Sequence, residues 1–267
     1  MSETRVAELA ARLGDARQTG RPIARIDASL RPTDVTEAYS VQRATQVRRG
    51  AGAAGYKLAL TSAGAQRAFG SDSPVVGALA PEDVLWSPAT LQADGLPWFA
   101  EAEVVFAIRE ALDPAKAPFS ADAVRECIAS AHVGIEICSS RYGWDDVSLP
   151  ELVADNANAR SLVIGPAIMN WRDADLTNTP VTLRRRGRPD VEGSTSAVLG
   201  GPFLALTWLA NWLARSNSQL APGDVVASGS CTGVTELGVD EDIVVDFGAL
   251  GRARAIIKPG NGSGRRT

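Results

Sequence analysis

Histidine is nearly absent from this chain: His132 stands alone among 267 residues. A Ser-His-Asp hydrolase would have to use it, and no GxSxG elbow is present to supply the serine. Zinc sites of the usual kind need several His or Cys ligands at short spacing. The three cysteines (Cys127, Cys138 and Cys231) are scattered and form no CxxC pair. That scatter also excludes a disulfide framework and points to a reducing, cytoplasmic setting. The common nucleotide cradles, GxxxxGK followed by Ser or Thr and GxGxxG, do not occur. No basic block is present either. With 27 Lys+Arg against 31 Asp+Glu, the net charge is −4 and the pI is near 5.2, which argues against nucleic acid as the main partner. Long apolar runs are missing: Leu204 to Ala214 is interrupted by Asn211 and is too short to span a bilayer. The opening MSETRVAELAARLGD lacks the apolar core of a secretory leader. An apolar share of 45% and a charged share of 22% fit a soluble globular chain of one large or two small domains. Carboxylates and lysine are left to carry any catalysis.

The pattern along the chain predicts a helical start. Val6, Leu9, Ala10 and Leu13 recur at helical spacing over residues 3 to 18, ending near Gly14 or Gly20. A second helix is expected from Asp34, whose spacing to Glu37 is that of a capping box, to about Arg49. GYKLALTS (55 to 62) reads as a short strand, followed by a brief helix closed by Gly70. Residues 71 to 97, rich in Pro, Asp and Gly, read as loop with short extended pieces. Strand signals then dominate at 98–109, 133–138, 161–168, 181–186, 224–228, 243–247 and 252–257. Helices are expected at 121–131, with Ser120 as N-cap, and at 203–215, with Pro202 at its first position. Strands with so few crossover helices predict an α+β fold with an antiparallel or mixed sheet roll rather than a doubly wound one. The expected division is a helical N-terminal region over 1–70, a β-roll over 71–260 and a disordered tail over 261–267.

WFAEAEVVFAIRE is the most informative stretch. Side chains alternate along a strand, so Glu101 and Glu103 share a face, and Ala100, Ala102, Val104, Phe106 and Ile108 occupy the other. If the strand is buried, two adjacent carboxylates must share a proton or bind a cation. The alternative is a strand end where both meet solvent or an arginine. Glu136, between Ile135 and Ile137, sits in a second apolar strand; it either pairs with Arg141 or completes an oxygen-only set suited to Mg²⁺ or Mn²⁺. Lys57 is a third charge in an apolar strand. Buried beside a metal, it would have a lowered pKa and move protons near neutral pH; otherwise it snorkels to solvent. SGSCTG (228 to 233) is a small-residue loop. Its backbone N–H groups, with Ser230 and Thr232, would suit a substrate carboxylate, and an ordinary glycine turn explains it equally. Arg184, Arg185, Arg186 and Arg188 around Gly187 read as a solvated basic hairpin tip.

GYKLALTS, the EAE of WFAEAEVVFAI, GIEICSSRY, LPELVADNA and PGDVVASGSCTG, in that order, resemble the 2-keto-4-pentenoate hydratase group of the fumarylacetoacetate hydrolase superfamily. The resemblance covers nearly the whole chain. It implies a mixed β-sandwich roll with a smaller helical N-terminal part, assembled as a homo-oligomer. It also implies Mg²⁺ or Mn²⁺ held by Glu101, Glu103 and Glu136, an active-site Lys57, and substrate-binding positions at Ser230, Thr232 and Asp155. Hydratases of the group add water to 2-hydroxypenta-2,4-dienoate, close relatives decarboxylate 4-oxalocrotonate, and some sugar-acid dehydratases share the scaffold. Three positions depart from the pattern. Val75 stands where hydratases carry an aspartate in Pro-Asp-aromatic-Gly, a feature the decarboxylases also tend to lack. Ser139 replaces an aspartate, and Asn158 replaces a serine after Asp155 and Asn156. The expected activity is therefore hydration of a 2-oxo acid enol in aromatic-compound catabolism, with decarboxylation as the alternative. A third reading is a non-catalytic partner subunit associated with a related decarboxylase or hydratase chain.

Overall fold

The computed structural model describes residues 1–50 and 52–260; the predicted disordered tail, 261–267, lies outside the described residues. In chain order the regular elements begin with α1 (Glu3–Thr19), α2 (Val35–Arg49), β1 (Gly55–Ala59), α3 (Ala63–Phe69), β2 (Val75–Leu79), β3 (Val84–Trp86), β4 (Ala89–Ala93) and β5 (Trp98–Ile108). They continue with α4 (Ala121–Glu126), β6 (Ile128–Cys138), α5 (Leu149–Ala154), β7 (Ala159–Ala167), β8 (Pro180–Arg185) and β9 (Val191–Ser194). The last are α6 (Pro202–Ala214), β10 (Val225–Ser230), β11 (Thr235–Leu237), β12 (Glu241–Asp246) and β13 (Arg252–Pro259).

Local chemistry sets the early boundaries. Ser2 accepts from Arg5 N–H at the start of α1, and Asp34 accepts from Glu37 N–H at the start of α2. The first helix runs through Gly14 and stops at Gly20. One expected element is wrong in part. The helix predicted over 121–131 ends at Glu126, and Ile128 to Ala131 begin β6 instead. Ile128 and Ala131 pair with Ile108 and Phe106 across the sheet, and that pairing buries both of them, which local helical periodicity cannot outweigh.

Two mixed sheets make the roll. The larger runs β2-β1-β10-β5-β6-β7-β3, with β11 beside the first half of β5; the smaller runs β4-β13-β12-β8-β9. Parallel pairs (β1/β10, β3/β7 and β4/β13) sit among antiparallel ones. The sheets face each other through β12 and β13 on β6 and β7. Ala100, Val104, Phe106, Val133, Ile135 and Ile137 fill the gap between them. Fully burying a side chain such as Phe106 contributes about 2–3 kcal/mol. The opposite face of β5 and β6, which carries the glutamates, is covered by other elements. β1 lies inside the larger sheet, so the helical region and the roll share that sheet. α1, α2 and α5 form a second apolar cluster around Leu9, Leu13, Val41 and Val153.

The apolar stretch Thr195–Ala214 is long enough to cross a membrane by length and composition. Here it is a short turn, two glycines and the 13-residue α6, whose Leu206, Leu209 and Leu213 are buried in the core. The basic hairpin tip is ion-paired rather than simply solvated: Arg184 meets Asp190 and Asp246, and Arg188 meets Glu241. His132 is buried inside β6. Its ring nitrogens are 2.9 Å from Ser130 Oγ and 3.0 Å from the Gly165 carbonyl oxygen, a structural arrangement.

Candidate active site

The pairing register of β5 and β6 builds the centre. Glu101 lies directly across from Glu136, and Glu103 lies one same-face step further along β5. Both strands are apolar on the face turned to the other sheet, so the carboxylates are held where solvent does not reach: Glu101 is 8% exposed, Glu103 and Glu136 0%. Burial first, then the charges of Glu136 and Glu101, pushes the Glu103 carboxyl well above its usual range. Glu136 is pushed up for the same leading reason, against the opposing pull of Lys57. Glu103 Oε1 and Glu136 Oε2 are buried with no hydrogen-bond donor among the described residues.

Lys57 reaches this cluster from β1, 1% exposed, and so does not snorkel. Its Nζ lies 3.0 Å from Glu136 Oε1 and donates to the Ala157 carbonyl at 2.9 Å. Glu136 therefore pairs with Lys57, while Arg141 pairs with Asp155 at 3.3 Å. Without a cation in the site, the balance at Lys57 runs toward a raised pKa. Burial alone would lower it, but the acidic neighbours, Cys138 first and then Glu136, Glu101 and Glu103, outweigh burial and raise it above the ordinary lysine range.

Backbone geometry fixes the lysine. Asn156, Ala157 and Asn158 all have positive φ (57°, 51° and 59°), which turns the Ala157 carbonyl onto Nζ. The strain at a non-glycine residue such as Ala157 is of order 1–3 kcal/mol. Asn156 holds the turn in place: its side chain donates to the Ala78 carbonyl and accepts from Ala78 N–H, both at 2.8 Å. Gly77 leaves room for the lysine stem; a Cβ there would stand 2.6 Å from the Asn156 carbonyl oxygen and 3.0 Å from Lys57 Cγ and Cδ. On the other side, β10 breaks register between Ala227 and Ser230, and Gly229 N–H donates to Glu103 Oε2 at 2.7 Å. Gly229 has φ 118°, and an added Cβ would stand 2.1 Å from Thr61 Oγ1.

A cavity of about 430 Å³ opens onto this centre, with Lys57, Glu101, Cys138, Asn158 and Ser230 among its polar lining and Leu60, Phe69, Phe99 and Leu152 among its apolar walls. Ser230 Oγ and Asn158 Oδ1 have no hydrogen-bond partner among the described residues. Not every predicted residue arrives here. The Thr232 hydroxyl is engaged by backbone, accepting from Ala102 N–H and donating to the Gly233 carbonyl, both at 3.3 Å, and it does not line the cavity. Asp155 is buried away from the cavity, accepting from Arg141 N–H at 2.7 Å, with burial raising its pKa to about 6. Asn158, a departure from the family pattern, lines the cavity. Val75 is buried among the apolar residues of the helical layer and offers no proton.

Three carboxylates and one ammonium sum to 1 − 3 = −2, an imbalance that a buried site cannot hold without protons or a cation. A doubly charged ion cancels it, and the two unpartnered carboxylate oxygens are the hard donors such an ion takes. The residues present therefore fit a divalent metal.

The model of the fumarylacetoacetate (FAA) hydrolase C-terminal family matches residues 73–261. A 2-keto-4-pentenoate hydratase of Burkholderia vietnamiensis (strain G4 / LMG 22486) is 32% identical over 259 residues, covering 94% of this chain and 96% of its own. A 4-oxalocrotonate decarboxylase of a Pseudomonas species is 27% identical, covering 87% of this chain and 90% of its own. Among solved structures, the 4-oxalocrotonate decarboxylase from Pseudomonas putida G7, complexed with magnesium and adipate, superposes with a TM-score of 0.88 at 24% identity. That match covers 96% of this chain and 98% of the decarboxylase and establishes the shared fold.

Proposed function

The chain belongs to the fumarylacetoacetate hydrolase family, and we propose that within it the protein is a metal-dependent hydro-lyase. Its reaction is the addition of water to 2-hydroxypenta-2,4-dienoate or a related 2-oxo acid enol. The observation that carries this reading is the buried Lys57–Glu136 pair set among Glu101 and Glu103, with unpartnered oxygens on Glu103 and Glu136 buried behind a cavity of small-acid size that Lys57 and Glu101 line. The hydratase names of the relatives support it.

Glu101, Glu103 and Glu136 would hold Mg²⁺ or Mn²⁺, which when bound supplies Lewis acidity toward the carboxylate and 2-oxo oxygens of the substrate. Lys57, which lines the cavity with its Nζ 3.0 Å from Glu136 Oε1, is a cation that draws a substrate carboxylate or enolate oxygen toward the cavity floor. Ser230 Oγ and Asn158 Oδ1 are free to take hydrogen bonds from substrate or from the attacking water. Leu60, Phe69, Phe99 and Leu152 exclude bulk water and favour a short apolar tail.

One observation favours decarboxylation as the second reading: Val75, where a hydratase of this group would have aspartate, is 3% exposed and apolar. Product analysis separates the two. The hydratase yields a hydrated 2-oxo acid with every carbon retained; stoichiometric CO₂ from a 2-oxo diacid, without hydrated product, overturns hydration in favour of decarboxylation.

A further inference from the structure

Cys138 is the residue at this centre that the proposed function leaves unused. It follows Glu136 by two positions on β6, so its side chain emerges on the same face as the glutamate. Its Sγ lies 3.5 Å from Glu101 Oε2, and one donor atom from each of Glu101, Glu136 and Cys138 falls within 4.8 Å of the other two. A buried cysteine is most often a small apolar filler. Cys231 fits that description, packing into the core between the sheets. Cys138 does not: among the described residues it belongs to none of the three apolar clusters, and it lines the cavity instead. The carboxylates beside it give a second, independent sign of a ligand, since Glu136 Oε2 and Glu103 Oε1 are fully buried with no donor among the described residues.

Resting on the metal reading above, we propose that Cys138 Sγ is a further donor to the metal, making this centre a mixed carboxylate–thiolate site. Such a site discriminates among divalent ions. Mg²⁺ takes oxygen donors and gains nothing from sulfur, whereas Zn²⁺ and Co²⁺ bind sulfur well. The consequence is a preference for the borderline ions over Mg²⁺ that is steeper than three carboxylates alone impose. Glu103, held by Gly229 N–H through Oε2, keeps its Oε1 available as the remaining oxygen donor.

The test loads the metal-free full chain with Co²⁺ and records its absorption spectrum. Ligand-field bands in the visible report that the ion is bound, and a sulfur-to-cobalt charge-transfer band in the near ultraviolet reports the thiolate. Wild type is expected to show both, and Cys138→Ser to keep the first and lose the second. The Zn²⁺-over-Mg²⁺ preference, measured by competition, should fall in that variant on the order of tenfold. Cys138→Ala, smaller and without polar demand, serves in its place if the serine variant does not fold. Stoichiometric Co²⁺ binding with no charge-transfer band, or a band and an ion preference unchanged in the variant, overturns the thiolate donor while leaving the metal reading standing. Failure of wild type to bind either Co²⁺ or Mg²⁺ overturns the metal reading and the thiolate donor with it.

Discussion

At the residue scale, Lys57 shows how much a side chain's chemistry depends on what surrounds it. A lysine in an apolar strand suggests a depressed pKa and a general base. Beside Cys138, Glu136, Glu101 and Glu103, Lys57 instead has its pKa raised, because these neighbours outweigh burial. What positions it is the lack of a side chain on the neighbouring strand. Gly77→Ala would place a methyl 3.0 Å from the lysine stem and 2.6 Å from the Asn156 carbonyl oxygen, and backbone on that side cannot yield cheaply. The expected outcome is a loss of turnover of about 100-fold, the scale of a misplacement of roughly 1 Å. The folded state should remain cooperative. Wild-type kcat in a folded Gly77→Ala protein would show that Lys57 is not placed by this contact.

At the scale of elements, β2 is an edge strand whose outward backbone groups would be unpaired were they not met by side chains. Val76 N–H donates to Tyr39 Oη, the Val76 carbonyl accepts from Gln42, and Asn156 takes both groups of Ala78. Asn156→Ala leaves two of these groups unmet and frees the left-handed turn that carries the Ala157 carbonyl. A stability loss of about 2 kcal/mol is expected from urea unfolding, together with lower activity; an unchanged midpoint would contradict the role. In the smaller sheet, Asp246 is held down to about 2 from the ordinary 3.8 by the hydrogen bond from Arg184, with Arg252 and Gly248 N–H adding to it. Its pKa is depressed in the folded state, so the stability it contributes is present above about pH 4 and is lost as pH falls toward 2. Asp246→Asn should flatten the acid limb of the stability profile in that window, measured by thermal unfolding across pH; a limb identical to wild type would assign the acid sensitivity elsewhere. These elements were unequally legible in the sequence. Caps such as Ser2 and Asp34 are local and readable. So was the two-faced burial of β5, because alternation is written into WFAEAEVVFAI. The start of β6 was not, since its strand conformation comes from pairing with β5, a contact that local periodicity does not encode. The capping of β2 by Gln42 and Asn156 was equally invisible, joining residues 34 and 78 positions apart.

At the scale of the whole molecule, the two sheets and the helical layer meet at the cavity, and each supplies something different. β5 and β6 bring the carboxylates, β1 the lysine, the bulge of β10 the Gly229 N–H and Ser230, and the turn after α5 the Ala157 carbonyl and Asn158. The sequence identified Lys57, Glu101, Glu103 and Glu136 by their charge in apolar strands, and the fold brings those four together. Thr232, chosen as a hydroxyl in a small-residue loop, and Asp155, chosen by likeness of pattern, are engaged elsewhere, because a loop hydroxyl and a buried acid find nearer partners than the cavity. The central claim is that the buried carboxylates hold a divalent ion required for turnover of a short dienoic acid. Its most direct test is the ultraviolet absorbance of 2-hydroxypenta-2,4-dienoate over time with purified protein, with Mg²⁺ or Mn²⁺ and with chelator, beside a folded Glu103→Gln variant. The expected result is metal-dependent loss of absorbance faster than spontaneous ketonisation, abolished by chelator and absent in the variant. Full turnover in chelator, or in Glu103→Gln, would contradict it.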